Sequence, residues 1–366
     1  MNIRNSLTAS KLGLAVGLLC LPILGWTQVS TLTQAEIWRQ ANDAVGQFKR
    51  GHADVLKWET SNAKPEAIAP ALSNSLSLAN AQEAIRLAWK VHPDLSPALA
   101  QLSAEALEAL VSGAWDKIEP KLVRRVQGMD EVLRVAAQAR KDFVLVVAAQ
   151  LSFRQAEESL SAAESARELG DRMVAVGNWS KIQQAPLQIA QANAQMNVQK
   201  SRLAFLQTQN RVLKSMAQVG AYQILALPTA MRDLPKQIST EQAVQAKGRA
   251  IQAQLYDAER FASRDHVAQA FAAYQAAFAN AGIADEVLKL HQFVFEETVL
   301  HYNGMLKSTW DVLAESQSQI QAATAAVNAQ RDFEIAQIDL EWVLLGGEPS
   351  SFVSLGGADG APAAGQ

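Results

Sequence analysis

Residues 121–176 read KLVRRVQGMDEVLRVAAQARKDFVLVVAAQLSFRQAEESLSAAESARELGDRMVAV and contain no proline. They lie in a proline-free interval from Pro120 to Pro186, and a second such interval runs from Pro235 to Pro349. Proline costs about 3 kcal/mol inside a helix, so long intervals without it, rich in Ala, Gln, Glu and Leu, favour long helices. The apolar phase agrees: Val144, Val147 and Leu151, then Leu160, Ala163, Ala166 and Met173, recur at helical spacing. As one helix the stretch extends roughly 84 Å at 1.5 Å per residue. A rod of that length does not fit inside a globule. It needs partner helices along its course.

An internal repeat organises the rest. With Gly177 set over Gly304, an offset from 177 to 304 of 127 positions, Val144 falls on Phe271, Val147 on Tyr274 and Leu151 on Phe278. Leu160 then meets Val287, Ala163 meets Leu290, Ala166 meets Phe293 and Met173 meets Leu300. Beyond the glycines, Leu206 meets Phe333, Leu213 meets Leu340 and Met216 meets Val343. Each unit reads as helix, glycine turn, helix. Upstream the units differ, because the first carries extra residues around 93–125. A short helical hairpin turning near Gly113 to Pro120 accounts for them.

The boundaries follow from these signals. Residues 1–25 read as an export signal, with Arg4 and Lys11 ahead of an apolar run from Leu12 to Leu24 and cleavage near Gly25. The run is shorter than the ~20 residues of a spanning helix. Leu19 fits a lipid-attachment signal at Cys20 poorly, which favours simple cleavage. Residues 26–77 form an N-terminal extension, 78–220 the first helical repeat, 221–238 a connector and 239–348 the second repeat. Residues 349–366, rich in Gly, Pro and Ala, read as a disordered tail. The expected fold class is all-α: a tandem repeat of long antiparallel hairpins in coiled-coil style, with no β-barrel.

Composition narrows the function. The formal net charge of the 366 residues is −3, which gives nucleic acid no electrostatic foothold. Cys20 is the single cysteine, so the remainder has neither disulfide nor thiolate metal site, and the five histidines lack ligand spacing. No nucleophile elbow, P-loop or H-E-x-x-H is present. The expectation is a protein that is not an enzyme, with no catalytic residue, metal or cofactor.

Several segments resemble the TolC-like outer-membrane efflux family. The first is Ala84-Ile85-Arg86-Leu87-Ala88-Trp89-Lys90-Val91-His92-Pro93-Asp94-Leu95. The second is Arg172-Met173-Val174-Ala175-Val176-Gly177 with its counterpart His301-Tyr302-Asn303-Gly304, followed by Ser308 to Glu315. The third, Leu340-Glu341-Trp342-Val343-Leu344-Leu345-Gly346-Gly347, is similar to the Leu-Leu-Gly that closes each family repeat. Together they cover roughly residues 78–348. The resemblance implies a homo-oligomer, a trimer, forming an α-helical tunnel in the periplasm. It also implies a periplasmic adaptor docking at the helix-turn tips and an inner-membrane pump behind it. One departure stands out: the chain lacks the paired strands of about 9–11 alternating residues from which family members build their barrel. It therefore reaches the outer membrane only by association. The alternative is a barrel-less periplasmic scaffold or accessory protein that binds an envelope complex without conducting cargo.

Two turns are the candidate partner-binding tips. One holds Gly177, Asn178, Trp179 and Ser180, the other Gly304, Met305, Leu306 and Lys307. Glycine supplies the positive φ that ends a helix, and exposed Trp179, Met305 and Leu306 are costly unless a partner covers them. The competing reading is an ordinary turn whose apolar residues fold back. Arg172, Tyr302, Asp311 and Glu315 stand near the tips. They read either as a gate, with Asp311 and Glu315 on one helical face forming a carboxylate ring in the oligomer, or as solvated surface charge.

Overall fold

The structure, a computed structural model, describes residues 75–218, 224–253 and 257–348, with the side chains at 116, 120, 224 and 257–262 outside that description. From Leu76 onward the described residues belong to one compact unit. The expected export signal, nearly all of the N-terminal extension and the C-terminal tail lie outside the described residues.

Four long helices dominate. Helix α5 spans Met129–Ala175 and α6 Lys181–Ser215; α8 spans Asp257–Asn303 and α9 Thr309–Val343. Each hairpin thus pairs a helix of 47 residues with one of 35, about 70 Å and 52 Å long. Smaller elements precede them: β1 (Ser75–Ser77), α1 (Ala81–Lys90), α2 (Ser96–Leu99), α3 (Ala104–Ser112) and α4 (Pro120–Arg125). Between the hairpins lie β2 (Ile224–Ala226) and α7 (Glu241–Gln252). Two three-residue strands, β1 paired with β2, are the strands among the described residues. The fold is all-α.

The hairpins repeat with a period of 128, seen from 129 to 257, 175 to 303, 181 to 309 and 215 to 343. The expected offset of 127 is therefore one residue short. Its anchor, glycine over glycine, is where it fails: the left-handed residue is Gly177 in one turn (φ 78°) and Met305 in the other (φ 60°). The first rod also starts later than expected, at Met129 rather than Lys121. Gly128, at φ 82°, turns the chain out of α4 and caps α5. The extra residues of the first unit form α2, α3 and α4 with two 3₁₀ turns, and Gly113 at φ 76° ends α3.

Packing sets the order of the rods. Helix α6 lies against α5, α5 against α9, and α9 against α8, which also meets α7. The row is α6–α5–α9–α8. At the end remote from the turns, α1 to α4 wrap α5 and bury Ile85, Leu110, Trp115, Met129 and Leu133 completely or almost so. The two tryptophans there keep polar partners: Trp115 Nε1 donates to Leu110 O at 2.9 Å and Trp89 Nε1 to Val132 O at 3.2 Å. A second cluster joins α7, α8 and α9 through Val244, Tyr274 and Phe333, and the Phe333 ring centroid lies 5.5 Å from those of Tyr274 and Phe278. Towards the turns the core thins to alanine around Leu288 and Ala322, Ala323 and Ala326.

The α5–α9 seam is polar where it joins the repeats. Lys141 pairs with Asp339, both almost wholly buried, and Arg140 Nη1 donates to Glu341 Oε2 at 2.6 Å. The Arg140 guanidinium also lies over the Trp115 ring, 5.0 Å from its centroid. Such pairs hold only while both members are present, because a lone buried charge is strongly destabilising.

Candidate functional site

The two turns have the same build. Helix α5 ends as Asn178 and Trp179 both donate their N–H to Met173 O, at 2.9 and 3.2 Å, while Gly177 takes the left-handed position. Helix α8 ends as Leu306 donates to His301 O at 2.8 Å, with Met305 left-handed. Each following helix opens with a reciprocal cap: Ser180 with Gln183, Ser308 with Asp311. Ser180 and Asp311 thus have structural work as caps. Hydrogen bonds from Ser308 hold the Asp311 carboxyl below its ordinary range.

Trp179 does not stand free. Its ring stacks on Trp310, in the first turn of α9, with centroids 4.7 Å apart and planes 19° from parallel. The two turns are joined by this contact, and Trp310 is the member that sequence reading left out of the site. Its placement beside the Ser308 cap was the available signal. Met305 and Leu306 behave differently, at 94% and 76% exposed. Val176 and Ile182, at the other turn, are exposed as well. The tip therefore divides: Trp179 folds back, while Met305 and Leu306 project with Lys307.

The four gate candidates are not brought together within one chain. Arg172 pairs with Glu168 one turn back, both well exposed. Asp311 caps α9, and Glu315 meets His291 Nδ1 across α8–α9 at 2.8 Å. Tyr302 remains at the surface.

A further surface emerges from the outer helices of the row. On α6, Val198, Gln209, Val212 and Leu213 are buried, whereas Ile182, Ile189, Met196 and Leu203 are exposed. These four recur every seven residues, the spacing of a coiled-coil seam. Ile189, Met196 and Leu203 keep between 57% and 63% of their surface exposed. On α8, Ile283, Val287, Leu290 and Val294 are likewise exposed at spacings of four, three and four, flanked by Phe293 and Leu300. Isolated exposed apolar residues are common, but two continuous stripes are not. Among the described residues, no group of three His, Cys, Asp or Glu side chains could hold a metal, and no helix is long and apolar enough to cross a membrane.

No family model matches the sequence, and no curated protein matches it. Among solved structures the fold is similar to CusC, described for its folding and transmembrane channel formation: 12% identity, 73% of this chain and 91% of that one, TM-score 0.49. It is also similar to the Neisseria gonorrhoeae MtrE outer membrane channel (14% identity, 73% and 89%, TM-score 0.41). The outer membrane protein VceC of Vibrio cholerae is similar too, at 12% identity, 64% and 77% coverage and TM-score 0.40. Each is a likeness of fold.

Proposed function

We propose that the chain is a TolC-like efflux component: a protomer of an oligomeric α-helical tunnel in the periplasm that docks an adaptor at its helix-turn tips. The observation that carries this reading is the pair of apolar stripes on α6 and α8. They lie on the two outer helices of a four-helix row, so each chain offers two different open edges. A head-to-tail contact between unlike edges closes into a ring when its rotation allows, which hides every stripe at once. Three copies is the number that the sequence resemblance implies.

The tips fit partner binding by the same reasoning. Met305 and Leu306 are presented to solvent, and a partner that covered them would remove that cost. An inner-membrane pump completes such a system. Arg172, Tyr302, Asp311 and Glu315 stand at the tip end, where a constriction would face the pump. Association with the outer membrane goes through a partner, since the strands among the described residues are far shorter than barrel strands.

Molar mass in solution tests the tunnel. Sedimentation should show one closed oligomer over a wide range of concentrations; a monomer at high concentration sinks the reading. The short strands also favour the alternative of a periplasmic scaffold that does not conduct cargo. Release of the protein by osmotic shock, free of outer-membrane fractions, would decide for the scaffold.

A further inference from the structure

The α6 edge carries a chemical handle that the α8 edge lacks. Among the described methionines, Met129 and Met216 are fully buried, Met231 is nearly so and Met173 is half-buried. Two stand open to solvent: Met305 at the tip, and Met196 in the middle of the α6 stripe, between Ile189 and Leu203. The α8 stripe consists of Ile, Val, Leu and Phe, none of which carries sulfur. Charge favours a second copy as the cover of the α6 stripe. Every charged residue of α6 is a cation: Lys181, Lys200, Arg202, Arg211 and Lys214. On α8, Lys289 is paired with Asp285, while Glu286 and Glu296 stand exposed. Unlike edges therefore attract, and two α6 edges repel.

A thioether in such a contact makes it sensitive to oxidants. Hypochlorous acid converts methionine to the sulfoxide: overall, one oxygen joins the sulfur, two electrons pass from sulfur to chlorine, and chloride and a proton leave. The product is polar, and seating it in an apolar contact buries an acceptor without a donor. We propose that Met196 is an oxidation site that controls assembly. Hypochlorous acid reaches it in the unassembled chain, its sulfoxide weakens the contact between the α6 edge of one copy and the α8 edge of the next, and the closed ring shields it. The site rests on assembly through these two edges and adds the control of that step. Methionine sulfoxide reductases reverse the change, so the block is temporary.

In the test, the full chain, dilute enough to be monomeric, is treated with limiting hypochlorite, quenched with free methionine and then concentrated. Peptide mass spectrometry should find the added oxygen at Met196 and Met305 and not at Met129 or Met216. Sedimentation should give a dissociation constant weaker than before treatment by roughly tenfold or more, the factor expected for a buried acceptor without a donor. Methionine sulfoxide reductase should restore it. Met196→Leu, compared with itself before and after treatment, should show no change, although Met305 is still oxidised. Oxidant added after assembly should spare Met196. The proposal is overturned by undiminished assembly of chains that carry the Met196 sulfoxide, by an equal loss in Met196→Leu, or by equal oxidation of Met196 in free and assembled chains. An untreated chain that stays monomeric at every concentration removes the ring, and its control with it; the untreated sample thus tells the two failures apart.

Discussion

Replacing Met196 and Leu203 together by glutamate puts two carboxylates in the middle of the α6 stripe. In the isolated protomer both positions are more than half exposed, so each change should alter its stability by no more than about 0.5 kcal/mol. In a ring the account differs. Fully burying an apolar side chain of this size is worth about 1.5–3 kcal/mol. With 63% and 57% still to be covered, the pair contributes about 2–4 kcal/mol to each contact. Burying two carboxylates without partners adds a penalty of several kcal/mol. Together the loss exceeds about 5 kcal/mol per contact, or more than three decades in dissociation constant. Analytical ultracentrifugation should therefore find a monomer where the unaltered chain is oligomeric, with circular dichroism showing unchanged helix content. If the double variant assembles with the parent's mass and concentration dependence, the α6 stripe is not an interface and the ring argument fails.

Other perturbations address single contacts. Glu334→Gln should alter the pH dependence of unfolding. A carboxyl raised from 4.5 to about 7 stabilises the fold fully below its unfolded value and loses that contribution as pH rises through 7, a change of roughly 3 kcal/mol. Denaturant titrations at pH 5 and pH 8 should show the variant gaining on the parent by that order; parallel curves argue against the burial. Lys141→Met removes the ammonium paired with Asp339 and should cost at most about 3–5 kcal/mol, whereas Lys141→Met with Asp339→Leu should recover most of it in the same assay. Trp179→Ala removes the stack on Trp310, worth about 0.5–1.5 kcal/mol beyond buried area. Faster amide exchange in the first turn of α9, with the remote end unchanged, is the expected sign. Met305→Gly should raise stability by about 0.5–1 kcal/mol, because glycine takes a positive φ without steric cost; a loss would show that the Met305 side chain supports the turn.

The rods were legible because proline spacing and apolar phase act locally. Their ends were less so. Pro186 closes the first proline-free interval, yet it lies inside α6, which starts at Lys181. As the sixth residue of α6, Pro186 forgoes the one bond that an N–H there would donate to the carbonyl of Ile182, and the rest of the long helix carries on. The repeat offset missed by one because Gly304 looked like the residue that turns, and Met305 accepts the left-handed strain instead. Ser180 read as a tip contact and Asp311 as a gate or surface charge, because capping depends on where the helix begins. The seam pairs of Arg140 with Glu341 and Lys141 with Asp339 could not be foreseen: about 200 residues separate the partners, and nothing local marks them. The α6 stripe was readable at its seven-residue period, but polar neighbours dilute it so that only the fold shows it to be uncovered.

That seam also has a kinetic side. Each hairpin closes between neighbouring segments, a fast event with little loop entropy to overcome, whereas α5 must wait for α9 from the far half of the chain. Until it arrives, Arg140 and Lys141 have no Glu341 or Asp339 to meet, and α5 stays partly hydrated at that level. The docking of the two halves should therefore be the slow, late step of folding. Substitutions at the seam should speed unfolding far more than they slow folding.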